Sequence, residues 1–70
     1  MNAAEITINK RTTLPWCPYL TVTHVLSTMN YTFPHIIVTI NGILVRYDTY
    51  DETLVPQNAD IRVVHLIAGG

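Results

Sequence analysis

Ile36-Ile37-Val38-Thr39-Ile40-Asn41-Gly42-Ile43-Leu44-Val45-Arg46 is the stretch that decides the fold. Two apolar, β-branched runs flank Asn-Gly, the dipeptide that best supplies the two φ > 0 positions of a type I′ turn. The stretch predicts an antiparallel hairpin.

Upstream of it, Val22, Val25, Leu26 and Met29 fall at i, i+3, i+4 and i+7, the apolar stripe of an amphipathic helix. His24, Ser27 and Thr28 take the other face. Thr21 is the expected N-cap, and Asn30 suits the left-handed position just past the C-terminus. Pro34 forbids a quick resumption. A helix of about ten residues is too short to persist alone, so it must pack on a sheet. Nearer the N-terminus, Ile6 and Ile8 alternate with Thr7 and Asn9 as a half-buried strand. Asn9-Lys10-Arg11 is a turn into a second strand over Thr12 to Cys17, which Pro15 and Pro18 make short and edge-like.

Downstream, Tyr47 to Asp60 is polar and aperiodic, with Tyr50 and Leu54 as expected anchors and a helical turn near Asp51 to Leu54. Pro56 to Asp60 is a turn, and Ile61 to Ile67 is the last strand. Ile61 and Val63 should face the core, Arg62 and Val64 the outside. His65, Leu66 and Ile67 should run beyond the packed body. The order is strand, strand, helix, strand, strand, irregular segment, strand. Placing the dense last strand beside the first gives an α+β chain with a mixed four- to five-stranded sheet and one helix on one face, the β-grasp or ubiquitin-like layout. Residues 1–70 then form one domain with a flexible tail at 67–70.

Composition narrows the function. The chain has 70 residues, 49% of them hydrophobic and 13% charged, with a net charge of −1. That is a globular balance, without the basic field that holds nucleic-acid backbones. Cys17 is the one cysteine, so no disulfide framework or Cys-rich zinc site can form, and a reducing cytoplasm fits. No run reaches the roughly 18 apolar residues of a membrane helix. The expectation is a cytoplasmic protein, monomeric when free, without nucleic-acid or membrane partners.

The chain ends in Ala68-Gly69-Gly70 directly after the last apolar run. At a Gly usage of about 7%, two terminal glycines arise by chance roughly once in 200 chains. Lacking Cβ atoms, they form a thin thread that fits a narrow enzyme channel. The alternative is a frayed end.

With that order, hairpin and ending, the sequence resembles the ThiS/MoaD family of ubiquitin-like sulfur carrier proteins over essentially its whole length. Val38-Thr39-Ile40-Asn41-Gly42 matches the family's apolar-x-apolar-Asn-Gly hairpin, and Val63-Val64-His65-Leu66-Ile67-Ala68-Gly69-Gly70 its terminus. Thr21-Val22 with Val25-Leu26 is similar to its Thr-Val-x-x-Leu-Leu helix start. Asn58-Ala59-Asp60 stands in place of its usual Asp-Gly-Asp turn, so either Asn58 carries any positive φ or the turn differs. Lys10 replaces the glycine that often follows the first-strand asparagine. The chain lacks the Pro-Pro pair frequent before the terminal glycines of molybdopterin-synthase small subunits, which tilts the likeness to the thiamine-biosynthesis ThiS type.

The resemblance implies a carrier, not an enzyme. An E1-like adenylating partner of the ThiF/MoeB type would use ATP and Mg to turn the Gly70 carboxylate into an acyl-adenylate. A persulfide sulfur from a sulfurtransferase or other donor would displace AMP and leave a thiocarboxylate. That thioacid would then pass sulfur to an acceptor synthase of the ThiG type in thiamine thiazole biosynthesis, or to a related pathway such as molybdopterin or amino-acid synthesis. The carrier itself would bind no cofactor and no metal and hold no catalytic residue. Gly70 and Gly69 are its expected adenylation and thiocarboxylate site. Val64, His65, Leu66, Ile67 and Ala68 are expected docking contacts, because apolar residues on an unpacked tail want a partner. Ordinary strand packing is the alternative for Leu66 and Ile67.

The other tempting residues point elsewhere. Cys17 is expected as a small apolar filler rather than a persulfide site. His24, His35 and His65 lie on different elements without metal-ligand spacing. Asp48, Asp51, Glu52 and Asp60 are expected as solvated surface, with an acidic patch steering a basic partner as the functional alternative. Trp16, Tyr19, Tyr31 and Phe33 are expected to close the ends of the core. Two other function classes stand beside the carrier: a ubiquitin-like modifier conjugated through Gly70, which a chain with one lysine argues against, and a non-catalytic β-grasp interaction module.

Overall fold

The Asn41-Gly42 hairpin forms as expected in the computed structural model, which describes residues 4–31 and 35–66. Strands β3 (Ile36–Ile40) and β4 (Ile43–Val45) pair antiparallel with Ile40 opposite Ile43, so the loop has two residues. Asn41 and Gly42 carry φ of 51° and 83°, the type I′ requirement. The other hairpin joins β1 (Glu5–Ile8) to β2 (Thr12–Pro15), also antiparallel. Strand β5 (Asp60–His65) lies between the two hairpins, parallel to β1 and antiparallel to β3. The sheet order is β2-β1-β5-β3-β4, a mixed five-stranded sheet with the last strand in its centre.

Two asparagines tie that central strand to the hairpin turns. Asn41 donates its N–H to the Asp60 carbonyl (2.8 Å) and accepts the Asp60 N–H on Oδ1 (2.9 Å). Asn9 donates to the Ile61 carbonyl (2.8 Å) and accepts the Val63 N–H on Oδ1 (2.8 Å). Each turn therefore also sets the register of β5.

One helix, α1 (Val22–Thr28), covers one face. Thr21 caps it, accepting the His24 N–H at 3.2 Å. At the other end Asn30 has φ 58°, while Tyr31 N–H donates to the Leu26 carbonyl and Asn30 N–H to the Ser27 carbonyl. Those two bonds are a Schellman motif, and it stops the helix at seven residues, short of the expected ten. Val22, Val25 and Leu26 are buried against Ile6, Ile8, Val38, Ile61 and Val63 of the sheet.

Several expectations need correction. The second strand ends at Pro15, not Cys17, because the chain turns at Cys17–Leu20 with Pro18 inside it. The helical turn is a 3₁₀ turn at Tyr47–Thr49, earlier than Asp51 to Leu54. Leu54 is not an anchor: it is 56% exposed, whereas its neighbour Val55 is buried. The chain there runs extended beside Thr21, which turns alternate side chains outward. Tyr50 packs on the core as expected, as do Trp16 and Tyr31. Trp16 also donates its indole N–H to the Val55 carbonyl at 2.6 Å. Tyr19 does not close the core, being 86% exposed on its turn. Asn58 does carry a positive φ (61°), which leaves Ala59 free to be buried. Phe33, Pro34 and the tail 67–70 lie outside the described residues.

Candidate functional site

β5 alternates as its sequence predicts. Ile61 and Val63 are buried beneath the helix, while Arg62 and Val64 stand on the open face of the sheet. The ladder continues to His65 opposite Ile36, and Leu66 N–H donates to the His35 carbonyl at 2.8 Å. His65 therefore belongs to the packed body and does not run beyond it. Its side chain shares the helix-side face with Ile61 and Val63, and its ring meets that of Tyr31 edge-on. Among the expected docking contacts, Val64 and Leu66 point outward and are 53% and 50% exposed. Ile67, Ala68, Gly69 and Gly70 lie outside the described residues.

Two exposed residues that the sequence reading passed over adjoin them. Ile37 is the cross-strand partner of Val64, and Leu44 that of Thr39, so both stand on the same open face. The signal was present in the alternation of 36 to 45, but an all-apolar run hides which residues face outward. The result is an apolar patch of Ile37, Leu44, Val64 and Leu66 leading to the start of the tail, with Arg62 beside it opposite Thr39.

No group of three or more His, Cys, Asp or Glu side chains gathers as a metal site among the described residues. Cys17 is exposed rather than a buried filler, since it sits where the chain leaves β2 for the turn. Arg46 lies 3.4 Å from Asp48 and Arg62 lies 3.3 Å from Asp60, while Asp51 accepts the Thr23 hydroxyl. Two of the four acids thus face arginines, which weakens any acidic field. A groove of about 400 Å³ runs between β4 and the segment around Leu54 and Pro56. A smaller one of about 200 Å³ lies between β2 and α1, lined by Trp16, Cys17 and His24 among others. Neither is lined by β5. Among the described residues no helix is long and apolar enough to cross a membrane.

No protein-family model matches the chain, and no curated protein matches it by sequence. Solved structures do. The crystal structure of the thiamine biosynthesis protein ThiS from Geobacter metallireducens superposes with a TM-score of 0.74, covering 94% of this chain and 99% of that one, at 22% sequence identity. At that identity the likeness is one of fold, and it extends over nearly the whole chain: this protein has the β-grasp architecture of ThiS.

Proposed function

We propose that this protein is a sulfur carrier whose Gly70 carboxylate is activated by a partner enzyme and converted to a thiocarboxylate. The observation that carries the reading is the ThiS-like fold whose central strand is followed in the sequence by Ile67-Ala68-Gly69-Gly70. A carboxylate is a poor electrophile, because its charge is delocalised and oxide would have to leave. Adenylation solves this: a carboxylate oxygen attacks the α-phosphorus of ATP, pyrophosphate departs, and the resulting acyl-adenylate has AMP as leaving group. A persulfide sulfur then attacks the Gly70 carbonyl carbon and AMP leaves. A thiol then attacks the donor's sulfur of the acyl persulfide, forming a disulfide with it and releasing the thiocarboxylate, which donates its sulfur in thiamine thiazole synthesis or a related pathway.

The carrier's part is recognition and delivery. Two terminal glycines let the thread enter a narrow channel. Ile37, Leu44, Val64 and Leu66 offer an apolar surface beside the point where the tail begins, suited to an E1-like partner and afterwards to a sulfur-accepting synthase. ATP and Mg belong to the adenylating partner.

Intact-mass measurement after incubation with the cognate E1-like enzyme, Mg-ATP and a sulfur donor tests this. The expected result is one oxygen-to-sulfur exchange, mapped to Gly70. With a demonstrably active partner, finding neither adenylate nor thiocarboxylate would overturn the proposal.

A further inference from the structure

Just past the end of the helix, the chain meets the last strand through an aromatic contact. The rings of Tyr31 and His65 have centroids 5.1 Å apart and planes at 81°, the edge-to-face geometry aromatic rings prefer. Tyr31 is held from the helix side: the left-handed Asn30 turns the chain, and Tyr31 N–H donates to the Leu26 carbonyl at 2.9 Å. His65 is held from the sheet side, as the last ladder residue, opposite Ile36. The next residue makes the last main-chain tie of this strand among the described residues, Leu66 N–H to the His35 carbonyl.

We infer that this Tyr31–His65 contact is a clasp that sets where the chain leaves the sheet, making both side chains positioning residues for delivery of Gly70. The inference rests on the carrier reading. Gly70 follows Leu66 by four residues, a reach of about 13 Å when extended. A partner that docks on the open sheet face must receive Gly70 at a fixed distance from Val64, so the exit point determines whether docking and activation coincide. With the clasp open, the ties at His65 and Leu66 lose their backing and the thread lengthens by two residues. Each added mobile residue must be ordered again in the complex. The apparent affinity for the activating enzyme falls, while the chemistry at Gly70 is unchanged.

Tyr31→Leu keeps bulk but removes the ring; Tyr31→Phe keeps the ring and removes only the hydroxyl. Hydrogen exchange at the Leu66 amide and steady-state adenylation by the cognate enzyme are the two readouts. For Tyr31→Leu we expect faster Leu66 exchange and a KM for the carrier raised about a hundredfold with kcat little changed, corresponding to the two extra residues ordered. Tyr31→Phe should behave as the unaltered protein. Should Tyr31→Leu fail to fold, His65→Thr opens the same contact from the strand side with a residue that suits a sheet. An unaltered Leu66 exchange rate, or an unaltered KM in a carrier that is adenylated, overturns the clasp. If the unaltered protein is never adenylated by an active enzyme, the carrier reading falls and the positioning role with it, whatever Leu66 exchange shows.

Discussion

Six non-glycine residues among those described hold positive φ: Asn9, Lys10, Tyr19, Asn30, Asn41 and Asn58. Four are asparagine, the side chain that best tolerates that region. Asn9 and Asn41 return the remaining strain through bonds to β5, and Asn30 through the helix-ending turn. Lys10 and Tyr19 make no such return. Lys10 follows Asn9 in a turn closed by Arg11 N–H to the Ile8 carbonyl, and its φ is 57°. A left-handed lysine costs about 1–2 kcal/mol, while glycine loses about 0.5–1 kcal/mol more chain entropy on folding. Lys10→Gly is therefore predicted to stabilise the protein by about 0.5–1 kcal/mol and to raise Tm by a few degrees in a thermal melt; a lowered Tm would contradict the strain argument. Asn30, Asn41 and Gly42 were legible in the sequence because each is the usual residue for its position. Tyr19 was not, since a tyrosine at the third position of a Pro-containing turn announces nothing, although φ there is 67°.

At the scale of elements, what was legible is what repeats. The period-two strands, the hairpin and the helical stripe all appear, because several residues report the same face. The segment between β4 and β5 has no period, and its attachments are single residues: Val55, Ala59 and the half-buried Tyr50. Leu54 and Val55 differ in parity, and the bridge of Leu54 to Thr21 is what turns Val55 inward and Leu54 outward. That bridge also gives Thr21 two tasks. Its hydroxyl caps α1, and its main chain aligns with Leu54 while Val22 N–H donates to the Thr53 carbonyl at 3.1 Å. A seven-residue helix has little cooperativity of its own, so its cap matters. Thr21→Ala is predicted to destabilise by about 1 kcal/mol, and Thr21→Ser to restore most of the loss. Urea midpoints for the two variants check this, and equal midpoints would remove the cap from the argument.

The whole molecule is a sheet with one covered face and one open face, and two properties follow from that division. The covered side includes Tyr50, whose phenol pKa burial raises above its ordinary value. A raised acid pKa means the fold favours the neutral form. The contribution is complete below the free phenol value of about 10 and disappears as pH climbs through the folded value. Melts taken between about pH 9 and 11 should therefore show an alkaline loss of stability that Tyr50→Phe reduces. The open side carries Ile37, Leu44, Val64 and Leu66, unsupported by any packing that would explain their exposure. Ile37 and Val64 face each other across β3 and β5, so they can be changed together without disturbing the ladder. Threonine keeps the branched Cβ that strands favour and replaces apolar surface with a hydroxyl. In the double variant Ile37→Thr/Val64→Thr, stability should move by no more than about 0.5 kcal/mol, as for other exposed sites. Binding to an E1-like partner that buries this pair should weaken about tenfold or more, since each side chain loses roughly a kcal/mol of apolar transfer energy and buries a hydroxyl. Calorimetric titration of the double variant against the partner separates the alternatives. A weakened Kd with an unchanged Tm places the partner on this face, and an unchanged Kd moves the dock elsewhere on the body and leaves the tail as its own recognition element.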